Sequence, residues 1–180
     1  TLESTSVKNA QKDTLKLIIS ALTANSVDLI NRPDPNDPTK DKGVGKPTDP
    51  TYGDVIVDKK TTPPATPTIF DVTIKNSGNI PDNYVITLPS VPAGWTVEVF
   101  EKDASGNCTT TKVTNSGNIK NGESKSFCLV VTPPAGTPAD TSNGIKVEIK
   151  SPATGTMDDI TFNVKVEEQR QLTFTPDRQG

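Results

Sequence analysis

Three neighbouring segments decide the fold: DVTIKNSGNI (residues 71–80), YVITL (residues 84–88) and AGWTVEV (residues 93–99). Apolar side chains fall at every second position of these segments, which is typical of a strand with one buried face. Asn and Gly close the first segment, and both tolerate the positive φ that tight turns need. The run predicts short antiparallel strands joined by turns, as in an immunoglobulin-like β-sandwich.

The same alternation continues toward the C-terminus and predicts which side chains face inward. We assign residues 55–168 to the sandwich, with alternate positions of each strand in its core. The predicted inward set is Phe70, Val72, Ile74, Trp95, Val97, Val99, Phe127, Leu129, Val131, Ile145, Val147, Ile149, Ile160, Phe162, Val164 and Val166. The predicted fold class is therefore all-β, an antiparallel sandwich with extra strand segments at both ends.

Residues 1–30 are predicted as an N-terminal strand-forming extension. Leu15, Leu17 and Ile19 alternate as in a strand, and the β-branched content favours this interpretation. A helix remains open, because Leu15, Ile18, Ile19 and Leu22 also match helical spacing. Residues 31–54 are rich in Pro, Asp and Gly, which predicts a long loop or linker.

Residues 169–180 begin another strand-like segment after the last predicted sandwich strand. Leu172 and Phe174 alternate with threonine before Pro176. Such a strand either pairs with a neighbouring subunit or opens a following repeat.

The two cysteines, Cys108 and Cys128, are predicted to form a disulfide. A bridge between them would close a loop of about 20 residues and stabilise the fold by about 3 kcal/mol. Two free thiols are the alternative, but an exposed free cysteine is poorly tolerated. A disulfide indicates an oxidising, extracytoplasmic location.

Composition excludes several classes of function. The net charge is −3 and the pI near 5.0, without a Lys/Arg cluster interleaved with aromatic residues, which argues against nucleic acid as a partner. No apolar run reaches the length of about 18 residues that a membrane-spanning helix needs. Apolar residues make up only 31%, so we expect a thin core.

Catalytic chemistry has little support in this chain, and we predict that it is not an enzyme and has no cofactor. Histidine is absent, which removes the commonest general base and transition-metal ligand. The carboxylate pairs Asp158-Asp159 and Glu167-Glu168 are neighbours in predicted strands and point to opposite faces. We interpret both pairs as solvated surface charge.

Calcium is the one ion that the composition supports, since it prefers clustered oxygen ligands. The loop of residues 31–54 carries Asp34, Asn36, Asp37 and Asp41, which we name as candidate ligands. Their spacing does not match an EF-hand loop, and nearby lysines dilute the negative charge. A flexible, solvated loop is the alternative.

One pentapeptide occurs twice, as NSGNI at residues 76–80 and again at residues 115–119. Both copies are interpreted as tight turns that cap strands. A pair of ligand-binding loops is the alternative interpretation.

The turn motifs resemble those of conserved-repeat immunoglobulin-like domains of bacterial cell-surface proteins, and are similar to modules attached to some secreted glycosidases. The motifs that carry the resemblance are Asn76-Ser77-Gly78, Asp82-Asn83-Tyr84, Pro92-Ala93-Gly94-Trp95 and Pro134-Ala135-Gly136. The resemblance implies an exported structural module at the bacterial surface, commonly beside neighbouring repeat domains.

We therefore predict an extracellular structural subunit that polymerises with itself into a filament, pilus-like fibre or surface layer. Edge strands would pair between subunits, with Leu15, Leu17, Ile19, Leu172 and Phe174 as the inter-subunit residues. The alternative is a carbohydrate-binding or adhesin module of a larger secreted protein. That alternative needs exposed aromatic side chains, and only Tyr52, Tyr84 and Trp95 accompany the five phenylalanines.

Overall fold

The computed structural model describes residues 2–5, 12–15, 24–30, 53–54 and 59–168, and twelve β-strands lie in these ranges. No helix occurs among them, so the described strands of residues 1–30 follow the strand prediction. The strands are β1 (Leu2–Thr5), β2 (Lys12–Leu15), β3 (Val27–Ile30), β4 (Gly53–Asp54), β5 (Lys59–Thr62), β6 (Thr68–Asn76), β7 (Val85–Thr87), β8 (Thr96–Lys102), β9 (Cys108–Lys112), β10 (Ser124–Thr132), β11 (Ser142–Lys150) and β12 (Met157–Val166).

Two sheets pack face to face as an immunoglobulin-like sandwich, which confirms the predicted fold class. Sheet 1 has the strand order β3-β6-β10-β8-β9, and sheet 2 the order β4-β12-β11-β7, with β5 also paired to β12. The pairing is antiparallel except at β4 and β5, which run parallel to β12. A separate antiparallel hairpin joins β1 to β2.

The core lies between the sheets, where the sequence alternation places it. Every residue of the predicted inward set is buried, except Val97, which is partly buried against the cluster. Trp95 is 9% exposed, so its predicted place in the core is confirmed. The period-2 pattern therefore identifies the buried face of each long strand.

β3 extends sheet 1 beyond the strands that the sandwich prediction included. It pairs with β6 from Val27 opposite Asn76 to Ile30 opposite Thr73. Val27 and Leu29 are buried in the core, and the Leu29 amide donates to Oδ2 of Asp158 at 2.7 Å. A side chain of β12 thus caps the outer edge of β3.

The ends of the sandwich differ in character. Both NSGNI pentapeptides lie at one end, here called the pentapeptide end, and β3 and β12 both start there. The chain leaves β12 at the opposite end, where Val166 is level with Thr62.

No helix long and apolar enough to cross a membrane lies within the described ranges.

Candidate assembly interface

The predicted disulfide between Cys108 and Cys128 is confirmed. Cys128 lies on the outer face of β10, and Cys108 starts β9, with β8 between these two strands. Two strand spacings would separate the Cα atoms by about 9.5 Å, whereas the observed distance is 5.8 Å. The start of β9 therefore bends over the outer face of β8.

A register shift between Phe100 and Lys102 accompanies this bend. Lys102 lies under it, with its side chain only 15% exposed, and its Nζ donates to Oδ1 of Asp71 at 2.6 Å. β-Bulges of this kind increase strand twist and redirect an edge strand. The disulfide and the register shift together hold the start of β9 against sheet 1.

After β9 the chain passes from sheet 1 to sheet 2. The Val113 amide donates to Val99 of β8 at 2.9 Å, and the Ile86 amide of β7 donates to Thr114 at 2.9 Å. Further along, the Ser116 amide donates to the Tyr84 carbonyl at 2.9 Å. One continuous segment thus closes part of this side of the sandwich.

An apolar groove of about 250 Å³ opens at that crossing. The ends of β7 and β8 form its walls, and an ion pair between Lys112 and Glu98 forms part of its rim. Its apolar lining consists of Ile86, Leu88, Val97, Val99 and Val113. Small-molecule sites usually have volumes of roughly 300–1,000 Å³, so the groove suits one or two side chains better.

Beyond the end of β7, β11 has an edge that β7 does not cover. β7 pairs only with Glu148, Ile149 and Lys150, while β12 covers all of β11 on the other side. Ser142 and Gly144, on the uncovered part, are exposed. The uncovered part of β11 is thus an edge of the described sandwich that could receive another strand.

The duplicated pentapeptides are not tight turns in the described structure: the first continues from the end of β6, and the second bridges Val85 through Asn115 and Asp82 through Ile119. Most of their hydrogen bonds join parts of the sandwich. Asn76 is 1% exposed; its Nδ2 donates to the carbonyls of Ile80 (2.8 Å) and Ile119 (2.9 Å). Its Oδ1 accepts from the Gly78 amide at 3.0 Å. One buried amide thus joins the ends of both copies.

In the second copy the buried residue is a different one. Asn115 is exposed, and its Oδ1 accepts the Gly117 amide at 2.7 Å. Ser116 is fully buried; its Oγ accepts from the Tyr84 amide at 2.9 Å and donates to the Gly117 carbonyl at 2.7 Å. These groups hold the fold together, which favours a structural role for both copies over a ligand-binding pair.

The first pentapeptide also fixes the segment that leads into β3. The amides of Ser77 and Gly78 both donate to the Ser26 carbonyl at 3.0 Å, and the Asn79 amide donates to Ala24 at 2.9 Å. A Cβ at Gly78 would lie 2.7 Å from the Ala24 carbonyl oxygen, so only glycine allows this approach.

Tyr84 lies beside these pentapeptides and is 1% exposed. Burial, together with the nearby charge of Asp82, raises the pKa of Tyr84 to about 12. Asp82 accepts from Ser151 Oγ at 2.9 Å and from Thr154 Oγ1 at 3.3 Å. Because Tyr84 and Trp95 both face the core, neither offers a face for sugar stacking.

The carboxylate pair Asp158-Asp159 requires a correction. The two residues point to opposite faces, as predicted, but they are 7% and 9% exposed and are not solvated surface charge. Asp158 caps β3, and Asp159 forms an ion pair with Lys146 on the outer face of sheet 2. That ion pair raises the pKa of the Lys146 ammonium. The prediction failed because burial here depends on strands far away in sequence.

Most of the other predicted site residues lie outside the described residues. They are Leu17, Ile19, Leu172 and Phe174 of the inter-subunit set, Asp34, Asn36, Asp37 and Asp41 of the calcium set, and Tyr52. Leu15 is described, and it pairs with Leu2 in the hairpin of its own chain. Within the described ranges, no cluster of three acidic or cysteine side chains could hold a metal ion.

Sequence comparisons assign no family. No protein-family model matches the chain, and no curated protein matches it in sequence. Similar solved structures include a PapD-like domain of human CEP192, with 10% identity, a TM-score of 0.43, and coverage of 89% of this chain and 99% of that one. The N-terminal domain of PorA has 14% identity and a TM-score of 0.42, over 62% of this chain and 87% of that one.

A family 123 glycoside hydrolase from Clostridium perfringens is also similar, with 8% identity and a TM-score of 0.43. The match covers 63% of this chain but 23% of that one. Likeness at this level carries no functional information, so the fold assignment depends on the strands and core described above.

Proposed function

We propose that the protein is a non-catalytic structural module of the cell exterior, which assembles with copies of itself into a filament or surface layer by strand pairing. The observation that carries the proposal is the uncovered edge of β11, which lies beyond the end of β7. Main-chain hydrogen bonds along such an edge give strength, and alternate side chains give register.

Two further observations support an exterior location and a structural role. The Cys108–Cys128 disulfide is of the kind that persists in oxidising compartments. The turn motifs resemble those of bacterial surface repeats, in which sandwich modules serve as structural units. Histidine is absent from the sequence, and the paired carboxylates of β12 serve the fold, which agrees with a non-catalytic role.

The test is negative-stain electron microscopy of native material, combined with intact mass and light scattering over a range of concentrations. Ordered fibres or sheets built from a 19.2 kDa chain would support the proposal. Monodisperse monomers at every concentration, or covalent membership in a larger non-assembling protein, would overturn it.

A further inference from the structure

The backbone of β11 alternates between its two neighbours, and this fixes which of its groups are unpaired. The Glu148 carbonyl accepts from Thr87 Oγ1 of β7, so even-numbered residues of β11 point to the β7 side. The Thr141 carbonyl, just before β11, accepts from Val166 of β12, which agrees with this alternation. The outward residues beyond β7 are Ser142, Gly144 and Lys146.

These three residues have no backbone partner on their outward side among the described parts of the chain. β7 ends at Thr87, and Pro89 and Pro92 follow within five residues. Proline has no amide hydrogen, so this connection cannot continue the ladder along β11. A row of main-chain donors and acceptors is left at the edge of sheet 2.

We infer that this edge receives residues 171–175 of a second copy of the chain, an inference that rests on the proposed function. The segment QLTFT has the length of a short strand, carries no charge, and alternates apolar with polar side chains. It follows β12 at the end of the sandwich where the uncovered edge begins, since Ser142 is level with Lys165.

The added strand would lie in line with β7, and its side chains would continue the series of β7 side chains that face the core. Ile86 faces the core, and Leu88, two residues on, lines the groove. In a strand that continues this series, every second side chain points between the sheets. Leu172 and Phe174 of the partner copy are two residues apart and supply such a pair.

The direction of the chain after β12 favours residues 171–175 of a second copy, rather than those of the same molecule, as the strand that pairs with the uncovered edge of β11. The Glu167 amide donates to the Thr62 carbonyl at 3.0 Å, so the chain follows β5 as it leaves β12. β5 lies on one side of β12, and the uncovered edge of β11 lies on the other. At Glu167 the chain therefore lies on the side of β12 that faces away from the uncovered edge.

Two variants of the full chain test the pairing by complementation. Phe174→Ser removes the larger donor side chain, and Thr173→Ala is its control because it leaves both apolar residues. Gly144→Pro removes one outward amide; Gly144→Ala is its control, since it brings the same Cβ to within 3.0 Å of Thr161 Cγ2 but keeps the amide. Each of the two disruptive variants should weaken self-association by at least about tenfold.

A mixture of the two disruptive variants should form a 1:1 complex, because one has an intact edge and the other an intact donor. Light scattering should then give twice the 19.2 kDa mass of one chain. Ser142→Pro, with Ser142→Ala as control, replaces Gly144→Pro if that variant does not fold. Tryptophan fluorescence and chemical denaturation check folding of every variant.

The outcomes separate this inference from the proposed function. If the native chain assembles and both disruptive variants assemble equally well, the inference is overturned but the proposed function is not. A native chain that stops at dimers, with complementation intact, supports the inference and overturns the filament. A native monomer whose Gly144 and Lys146 amides are protected from hydrogen exchange, and lose protection with Phe174→Ser, shows that the chain pairs with itself and overturns both.

Discussion

Two identical pentapeptides should respond in opposite ways to the same pair of substitutions. In the first copy the asparagine is buried and the serine is exposed; in the second copy the asparagine is exposed and the serine is buried. We therefore expect Asn76→Ala to destabilise far more than Asn115→Ala, and Ser116→Ala far more than Ser77→Ala. Each copy supplies a control with the same local sequence.

The size of the effect at Asn76 follows from its three hydrogen bonds. A hydrogen bond contributes about 1 kcal/mol, and a buried group left without a partner costs about 1–3 kcal/mol. The Ile119 carbonyl keeps the Asp82 amide as a donor, so it is not left unpaired. We expect Asn76→Ala to lower the free energy of unfolding by about 3 kcal/mol.

Ser116→Ala removes the acceptor of the buried Tyr84 amide and should cost about 1.5–2 kcal/mol. Asn115→Ala removes one solvent-exposed hydrogen bond, which should cost at most about 0.5–1 kcal/mol. Ser77 has an exposed side chain, so Ser77→Ala should stay within about 0.5 kcal/mol of the unsubstituted chain.

The assay is urea denaturation followed by tryptophan fluorescence, because the chain has a single tryptophan, Trp95, and it lies in the core. Equal slopes across the variants would show that differences in midpoint are differences in stability. Equal costs for Asn76→Ala and Asn115→Ala, or for the two serine variants, would refute the assignment of roles.

Three further perturbations follow from the structure. Replacing both Cys108 and Cys128 by alanine should lower stability by about 3 kcal/mol, read from guanidinium midpoints; an unchanged midpoint would contradict a stabilising bridge. Because the pKa of Tyr84 is raised to about 12 in the folded protein, stability should fall as pH rises from about 10 toward 12. Tyr84→Phe should make the free energy of unfolding fall less over this pH range. Parallel curves of stability against pH for the two proteins would refute this expectation. Asp158→Ala should cost about 2 kcal/mol and speed hydrogen exchange at the Leu29 amide, whereas Asp158→Asn, which keeps an acceptor, should cost less.

The sequence predicted the features that depend on local periodicity. Alternate positions from Phe70 onward identify the buried face of each long strand, because a strand's side chains alternate strictly between its faces. The disulfide was predicted from the surroundings of the two cysteines. The burial of Trp95 was predicted from its position in an alternating strand.

Features that depend on distant partners could not be predicted in this way. Asp158 is buried because it caps β3, whose residues lie more than a hundred positions earlier in the chain. The groove arises where the chain crosses between sheets, and local sequence does not specify that crossing. The two pentapeptides make the point most directly, since identical residues are buried in one copy and exposed in the other.

The entry of the chain at the pentapeptide end and its exit at the opposite end have a mechanical consequence. Tension applied at residues 24 and 168 would pull β3 and β12 lengthwise in opposite directions. The hydrogen bonds that hold β3 to β6 and β12 to β11 lie across that pull, so they are loaded together in shear rather than opened one after another. In a chain of such modules, the hydrogen bonds between paired strands would resist stretching. Each module would bear load best along the direction of its strands.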